Sequence, residues 1–322
     1  MKAVRLVLIA LISISMIAAG IFTVVQSISS PADSSSVTED FSSDNISDST
    51  NAADLPLVTE SEDMQTGAPV ADGSQSDDED TETPIKIVLG DVDLSNTAAL
   101  SSEAVTWGPG VNFNDDNQPA ACVSLQDKYG KLGAVFLHDD QRIYLTFDLG
   151  YESGYTNDIL DVLKENDVKA TFFVTGSYAK NQDEIIKRII SEGHTVGNHS
   201  NTHPDMTQLS ADEAAKEITA VHDIVKEKYG YETYLFRFPA GTFSEKTLAI
   251  AAENGHHSVF WSFAYNDWDN ANQPDVTKAL QKTTDRLHPG AVYLLHPMET
   301  NSKILDGLIK AAKEQGYEIG VM

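Results

Sequence analysis

The chain has 322 residues and a formal net charge of −27, from 22 Lys and Arg against 49 Asp and Glu. The length allows one or two domains with a sizeable core, and a balance this acidic, with no basic footprint, removes nucleic acid as a partner. A single cysteine, Cys122, excludes an intrachain disulfide and a Cys-rich metal site, and it reads as an ordinary small residue.

Residues 1–26 place Lys2 and Arg5 ahead of an uncharged, mostly apolar run from Leu6 to Val25. Front-loaded positive charge before a run of that length predicts a signal peptide or an uncleaved signal anchor in the membrane. Ala18, Ala19 and Gly20 leave a cleavage site open, and in either case the remainder is expected outside the cytoplasm. Residues 27–83 are dominated by Ser, Asp, Glu and Thr; between 31 and 85 there are fifteen acidic residues and no basic one. Without hydrophobic periodicity and with so much like charge, this stretch predicts a disordered acidic linker. Residues 84–141 are mixed: Ile85–Leu89 is a strand candidate, while Trp107-Gly-Pro-Gly110 and Asn117-Gln-Pro119 read as turns. The segment is expected to be a lead-in that packs on the domain after it.

From residue 142 to 322, apolar runs alternate with helical patterns. Strands are predicted at Ile143–Phe147, Ala170–Thr175, Thr195–Asn198, Leu235–Phe238, Ser258–Trp261, Val292–Leu295 and Glu318–Val321. Between them, Thr156–Asn166 puts Ile159, Leu160 and Leu163 on one helical face with Thr156 as a cap. Asp183–Ser191 aligns Ile185, Ile186, Ile189 and Ile190 ahead of a stop at Gly193, and Ala211–Lys228 is a longer, more charged helix. Seven strands interleaved with helices predict a mostly parallel α/β domain. Periodicity does not separate an open sheet from a closed barrel.

Polar groups cluster where these strands end, the edge on which chemistry is built in strand-helix repeats. Asp148 follows the run IYLTF, and a carboxylate beside a metal-bound water can act as general base. His199 and His203 are four apart, and on a helical turn that spacing points both imidazoles at one divalent metal, zinc being favoured by neutral nitrogen ligands. Arg237, ending another strand, can hold the Asp148 carboxylate ionised. His296 can protonate a leaving amine, with Asp267 orienting it and raising its pKa. Trp268 offers a ring for a sugar face, and Leu294, two residues before His296 on the same strand face, can line a pocket for a small acyl group.

Five strings in order over residues 142–322, TFDLG, HSNTH, RFPAG, NDW and LLH, resemble the five motifs of the polysaccharide deacetylase family, the NodB homology domain of carbohydrate esterase family 4. The resemblance implies a distorted (β/α) barrel of about seven strands and metal-dependent removal of an acetyl group from a polysaccharide. Position by position it implies Asp148 as base, His199 and His203 as metal ligands, Arg237 as the group holding the base, Asp267 as orienter of the acid His296, and Leu294 in the acetyl pocket, with Phe238, Pro239 and Trp268 against the substrate. Leu149 departs from the pattern: the family has a second Asp there as third metal ligand. Glu152 and Asn198 are the candidates to compensate. The longer strings TFDLGYESGYT and VFWSFAYNDW are similar to the spore-cortex, delta-lactam-forming peptidoglycan deacetylases. That likeness implies N-acetylmuramic acid in peptidoglycan as substrate, although Ala240 stands where that group often carries an Arg suited to a carboxylate. The chain is expected to be a monomer, anchored at the cell membrane through its N-terminal segment or secreted, facing the cell wall. The alternatives are a deacetylase of another acetylated polymer, such as N-acetylglucosamine chains or acetylxylan, or a glycan-binding module impaired in catalysis by Leu149.

Overall fold

In a computed structural model of the protein, residues 91–322 are described; the N-terminal apolar segment, the acidic linker and the Ile85–Leu89 candidate lie outside the described residues. Among the described residues no helix is long and apolar enough to cross a membrane. The lead-in supplies β1 (Val105–Thr106), α1 (Ala120–Tyr129) and β2 (Ala134–Val135). Next come β3 (Ile143–Leu149), α2 (Thr156–Glu165), β4 (Thr171–Val174), α3 (Gly176–Asn181), α4 (Asp183–Ser191), β5 (Thr195–Asn198) and α5 (Ala211–Tyr229). The chain continues through β6 (Leu235–Phe236), β7 (Thr242–Phe243), α6 (Glu245–Glu253), β8 (His257–Val259), α7 (Val276–Thr284), β9 (Val292–Leu295), α8 (Glu299–Glu314) and β10 (Ile319–Gly320).

Eight strands make one curled sheet in the order β10-β3-β4-β5-β6-β8-β2, with β9 paired to β3. Every pairing in it is parallel. The eighth strand, β2, belongs to the lead-in, so the sheet starts before residue 142; two residues are too few to show a period in sequence. The curl is drawn together where Gly290 accepts from His138 N (3.0 Å) and Val292 accepts from Ser262 N (2.8 Å), beside an isolated parallel bridge between Phe263 and Tyr293. Gly290 has φ +70°, and a Cβ there would run into the His138 carbonyl, so this approach requires glycine. A separate antiparallel pair joins β1 to β7.

The strands alternate between two cores, as the two-residue period of a strand requires. On β3, Ile143, Leu145, Phe147 and Leu149 join the helix-side cluster with Ile159, Leu160, Leu163, Ile186 and Ile189. Tyr144 turns to the other side and joins Phe173, Phe236, Phe238, Val292 and Leu294 inside the curl. At Gly197 of β5 a side chain would collide with the Phe173 ring, which leaves the interior face of that strand to the ring. The helix starts are locally encoded: α5 opens with a reciprocal capping box of Ser210 and Glu213 and ends at Gly230 with φ +66°. α2 differs from its expected start. Tyr155 occupies the cap position, and the Thr156 hydroxyl donates to Glu152 Oε2 (2.7 Å) instead of capping.

Leu149 is fully buried in the helix-side cluster, with no exposed surface. Leu149→Ala is therefore expected to destabilise the fold by about 2–5 kcal/mol, the range for truncating a packed leucine. A chemical denaturation midpoint unchanged from wild type would contradict that packing.

Candidate active site

The cavity opens at the carboxyl ends of the strands, has a volume of about 740 Å³, and is lined by Asp148, His199, His203, Phe238, Trp268, Leu294 and His296 among others. Asp148 stands at the end of β3, on the strand face opposite its neighbours Phe147 and Leu149. Its Oδ1 accepts from Arg237 Nη1 at 2.8 Å. Arg237, 0% exposed, also donates from Nε to the Val259 carbonyl (3.1 Å) and from Nη2 to the Phe260 carbonyl (3.2 Å), and its guanidinium lies 4.1 Å from the Phe173 ring centre. These contacts leave the guanidinium one orientation. Burial alone would push the Asp148 carboxyl up, but the Arg237 guanidinium, followed by His199 and His296, holds it below the usual carboxylate range.

His199 follows β5 directly, and its main-chain N–H donates to Val174 O (2.9 Å), which continues the sheet into the site. Its Nδ1 lies 2.9 Å from the Arg237 carbonyl. A carbonyl only accepts, so Nδ1 carries the proton and Nε2 presents a lone pair. That Nε2 is 3.4 Å from Asp148 Oδ2. Burial lowers the His199 pKa to about 4, so the ring is neutral at pH 7 and two electron-rich atoms face each other. Such a pair calls for a cation or a proton between its members.

The geometry that brings His203 alongside is not the helical turn expected from the spacing. No helix runs through residues 199–203. Ser200 and His203 both take left-handed backbone (φ 65° and 60°), and the His203 N–H donates to Ser200 Oγ (3.0 Å). This reversed loop sets the two imidazole centres 4.8 Å apart. Two nitrogens with one carboxylate oxygen beside them suit a divalent metal by donor chemistry. Among the described residues, though, no group of three or more His, Cys, Asp or Glu is arranged to hold an ion. Neither expected helper supplies the third ligand. Glu152 is occupied by Thr156 Oγ1, by the Tyr178 hydroxyl (2.5 Å) and by the Gly154 N–H (2.7 Å). Asn198 donates to Ile218 O (2.8 Å) and accepts from Ser200 N (3.0 Å). Leu149 points into the helix-side core, away from the cavity.

Across the cavity, His296 follows β9 and is half-buried. Its Nδ1 lies 2.8 Å from Asp267 Oδ1, and its main-chain N–H donates to Asp267 Oδ2 (2.8 Å). Burial alone would lower the His296 pKa, but the hydrogen bond and charge of Asp267, with the more distant Asp148, raise it above the ordinary imidazole value. Asp267 is itself buried and held by residues that sequence reasoning missed. Asn301 Nδ2 donates to Asp267 Oδ2 (2.6 Å) and to the His296 carbonyl (2.8 Å), the Tyr265 hydroxyl donates to Asn301 Oδ1 (2.5 Å), and Gln273 donates to the Asp267 carbonyl (2.8 Å). A signal for Asn301 exists in the sequence. It falls on the apolar stripe of α8 with Ile304, Leu305 and Leu308, and an amide buried on such a stripe needs a partner.

The apolar wall consists of Leu294, Phe238 and Trp261, with Ala240 at its edge in left-handed backbone (φ 52°). Pro239, expected against the substrate, is buried at the start of the short turn before Ala240 and is not among the lining residues. Trp268 is 59% exposed at the rim.

The chain matches the family model described as polysaccharide deacetylase over residues 138–259. It is 41% identical over 223 residues, 68% of this chain and 84% of the relative, to the peptidoglycan-N-acetylmuramic acid deacetylase PdaA of Bacillus subtilis. The solved structure of B. subtilis PdaA, a family 4 carbohydrate esterase, superposes with a TM-score of 0.65 at 40% identity, covering 69% of this chain and 96% of that one. A family 4 pseudoenzyme from Bacillus anthracis is similar as well, with a TM-score of 0.56 and 31% identity over 59% of this chain and 67% of that one. On this identity across most of a relative's length, together with the shared fold, the chain belongs to the polysaccharide deacetylases, carbohydrate esterase family 4.

Proposed function

We propose that the protein removes the N-acetyl group from N-acetylmuramic acid in peptidoglycan whose stem peptide has been taken off. As a member of its family it is a hydrolase of carbon-nitrogen amide bonds. One observation carries the mechanism: a carboxylate whose pKa is held down by Arg237 and an imidazole whose pKa is raised by Asp267 line the same cavity. In this reading Leu294, Phe238 and Trp261 take the acetyl methyl, and Asp148 accepts the proton of the attacking water. His296, oriented by Asp267, donates a proton to the sugar nitrogen as the carbon-nitrogen bond breaks. His199 and His203 would hold a divalent cation, with zinc the favoured ion; when bound it would polarise the acetyl carbonyl and acidify water beside it. The muramyl substrate is supported by what the B. subtilis relative is named for. The N-terminal residues 1–26 are proposed to export or tether the chain to the cell membrane, 27–83 to act as an acidic spacer, and 84–322 to work as a monomer on glycan strands at the cell wall.

The test is mass spectrometry of muropeptides after incubating the protein with zinc and peptidoglycan, either intact or stripped of stem peptides. Loss of one acetyl mass on muramyl residues, confined to stripped material and absent with His203→Ala, is the expected result. Loss only from N-acetylglucosamine residues or chitin oligomers would move the substrate to another glycan. A second reading, a glycan binder without activity, is favoured by the apolar burial of Leu149 where a third ligand would stand and by the likeness to a pseudoenzyme. No acetyl loss on any material would select it.

The pH profile follows from the two shifts. Activity needs Asp148 ionised and His296 protonated, so the acid limb is expected below the usual carboxylate range and the basic limb above the ordinary imidazole pKa. Asp267→Asn removes the charge that raises His296, so its basic limb is expected to move to lower pH. A profile whose basic limb stays in place would separate Asp267 from the acid.

A further inference from the structure

Of the three side chains placed at the acetyl methyl, Leu294 belongs to β9 and is fixed by the sheet, whereas Phe238 and Trp261 lie beyond the ends of β6 and β8. Both are backed by residues of the lead-in. The Trp107 indole N–H donates to the Trp261 carbonyl (2.9 Å), and its main-chain N–H donates to the Gly241 carbonyl (3.1 Å). The Cys122 thiol, a weak donor, reaches the same Trp261 carbonyl at 3.8 Å. β1 pairs with β7 through Val105 with Phe243 and Thr106 with Thr242, so the lead-in runs along the exit of the turn that carries Phe238 and Ala240. The Trp107 ring also meets Phe136 edge-on at 4.8 Å. Phe136 stacks on Phe260 at 4.4 Å, and Phe260 lies 6.0 Å from Phe238 and nearly parallel to it. Trp107 is buried and is not among the residues lining the cavity, so it stands behind the wall.

The turn needs such a hold. The Gly241 N–H returns to the Phe238 carbonyl (3.0 Å), and Ala240 between them has φ 52°, a left-handed position that favours glycine or asparagine over a residue like alanine. Gly241 is left-handed as well (φ 67°), and a Cβ on it would come within 2.7 Å of the Trp261 ring and 3.2 Å of Trp107 Cβ. The turn is thus packed between the two tryptophans, and contacts from outside it maintain a shape that Ala240 does not favour.

We infer that Trp107 is a positioning residue for acyl selectivity. By joining the Trp261 main chain to the turn after Phe238, it fixes how far the wall stands from the acyl group, which admits acetyl and turns away longer chains. The inference rests on reading Leu294, Phe238 and Trp261 as the acyl wall.

The experiment measures kcat/KM of the full chain, with zinc, for release of acetate or propionate from stem-peptide-free glycan strands. The muramyl nitrogens carry acetyl or, after chemical exchange, propionyl groups. Wild type is expected to prefer acetyl by about 10- to 200-fold, the range for one methylene against a filled pocket. Trp107→Ala, which opens space behind Trp261 and the turn, should cut that preference by about tenfold, bringing it near what an unfilled pocket gives. Trp107→Phe keeps a ring against Phe136 and drops the N–H, and should cut it by about threefold, the order of one hydrogen bond. Leu308→Ala, in the helix-side core, should lower the melting temperature and leave the preference at the wild-type value. The inference is overturned if Trp107→Phe keeps the full preference, if a folded Trp107→Ala keeps it, or if Leu308→Ala loses it as far as Trp107→Ala does. Equal rates of wild type on both acyl groups would also overturn it while leaving the deacetylase reading in place. Release of neither acid by wild type would overturn that reading, and the role of Trp107 with it.

Discussion

Asp148→Asn is expected to lower kcat by about 10²–10⁴-fold, the contribution of a positioned general base. The amide keeps the size of the side chain and loses both the proton acceptor and the charge. It also leaves the Arg237 guanidinium, wholly buried, with two carbonyl partners and no counter-charge. Removing one member of a buried ion pair costs about 3–5 kcal/mol, so the variant should also melt earlier. Measuring kcat well below that melting transition separates the two effects. A folded variant with near-wild-type kcat would put the base elsewhere.

Arg237→Met is expected to destabilise the protein by about 3–5 kcal/mol for the same reason, now with the carboxylate left alone. Its further signature lies in pH. The Asp148 carboxyl is held low in the folded chain, so it adds stability above its unfolded pKa that is lost as pH falls through its folded value. Without the guanidinium, burial acts on the carboxyl with its main opponent gone and its pKa rises. The acid limb of activity should therefore move to higher pH, and the stability deficit against wild type should be largest at neutral pH and shrink as pH falls, because a buried carboxyl whose folded pKa is raised gains stability on protonation. If the acid limb of the folded variant did not move, Arg237 would be a packing residue rather than the group that keeps Asp148 charged.

The positions of Asp148 and His296 were legible because each ends an apolar run on the active edge of a parallel sheet, and an alternating pattern dictates which strand residues share a face. Leu294 was legible by the same rule, two residues from His296. The His199–His203 pair was legible in composition and misjudged in conformation. Spacing of four is compatible with a helix, but Ser200 and His203 are driven into left-handed backbone by the loop that leaves β5, and nothing local in Ser-Asn-Thr announces that. Pro239 was misplaced because adjacency to Phe238 in sequence carries no information on which side of a turn faces the cavity.

The sequence by itself determined the alternation of strands and helices, the order of the polar groups along the active edge, and the family, because these depend on periodicity and on short strings. Only the tertiary structure decided that β2 joins the sheet, that Leu149 packs against helices rather than facing the cavity, and that Glu152 and Asn198 are already engaged, by Tyr178 on α3 and by the Ile218 carbonyl on α5 among others. It also decided that Asn301 and Tyr265 stand behind Asp267. Each of these depends on contacts between residues far apart in the chain, where burial and hydrogen-bond satisfaction act on groups that no local pattern brings together.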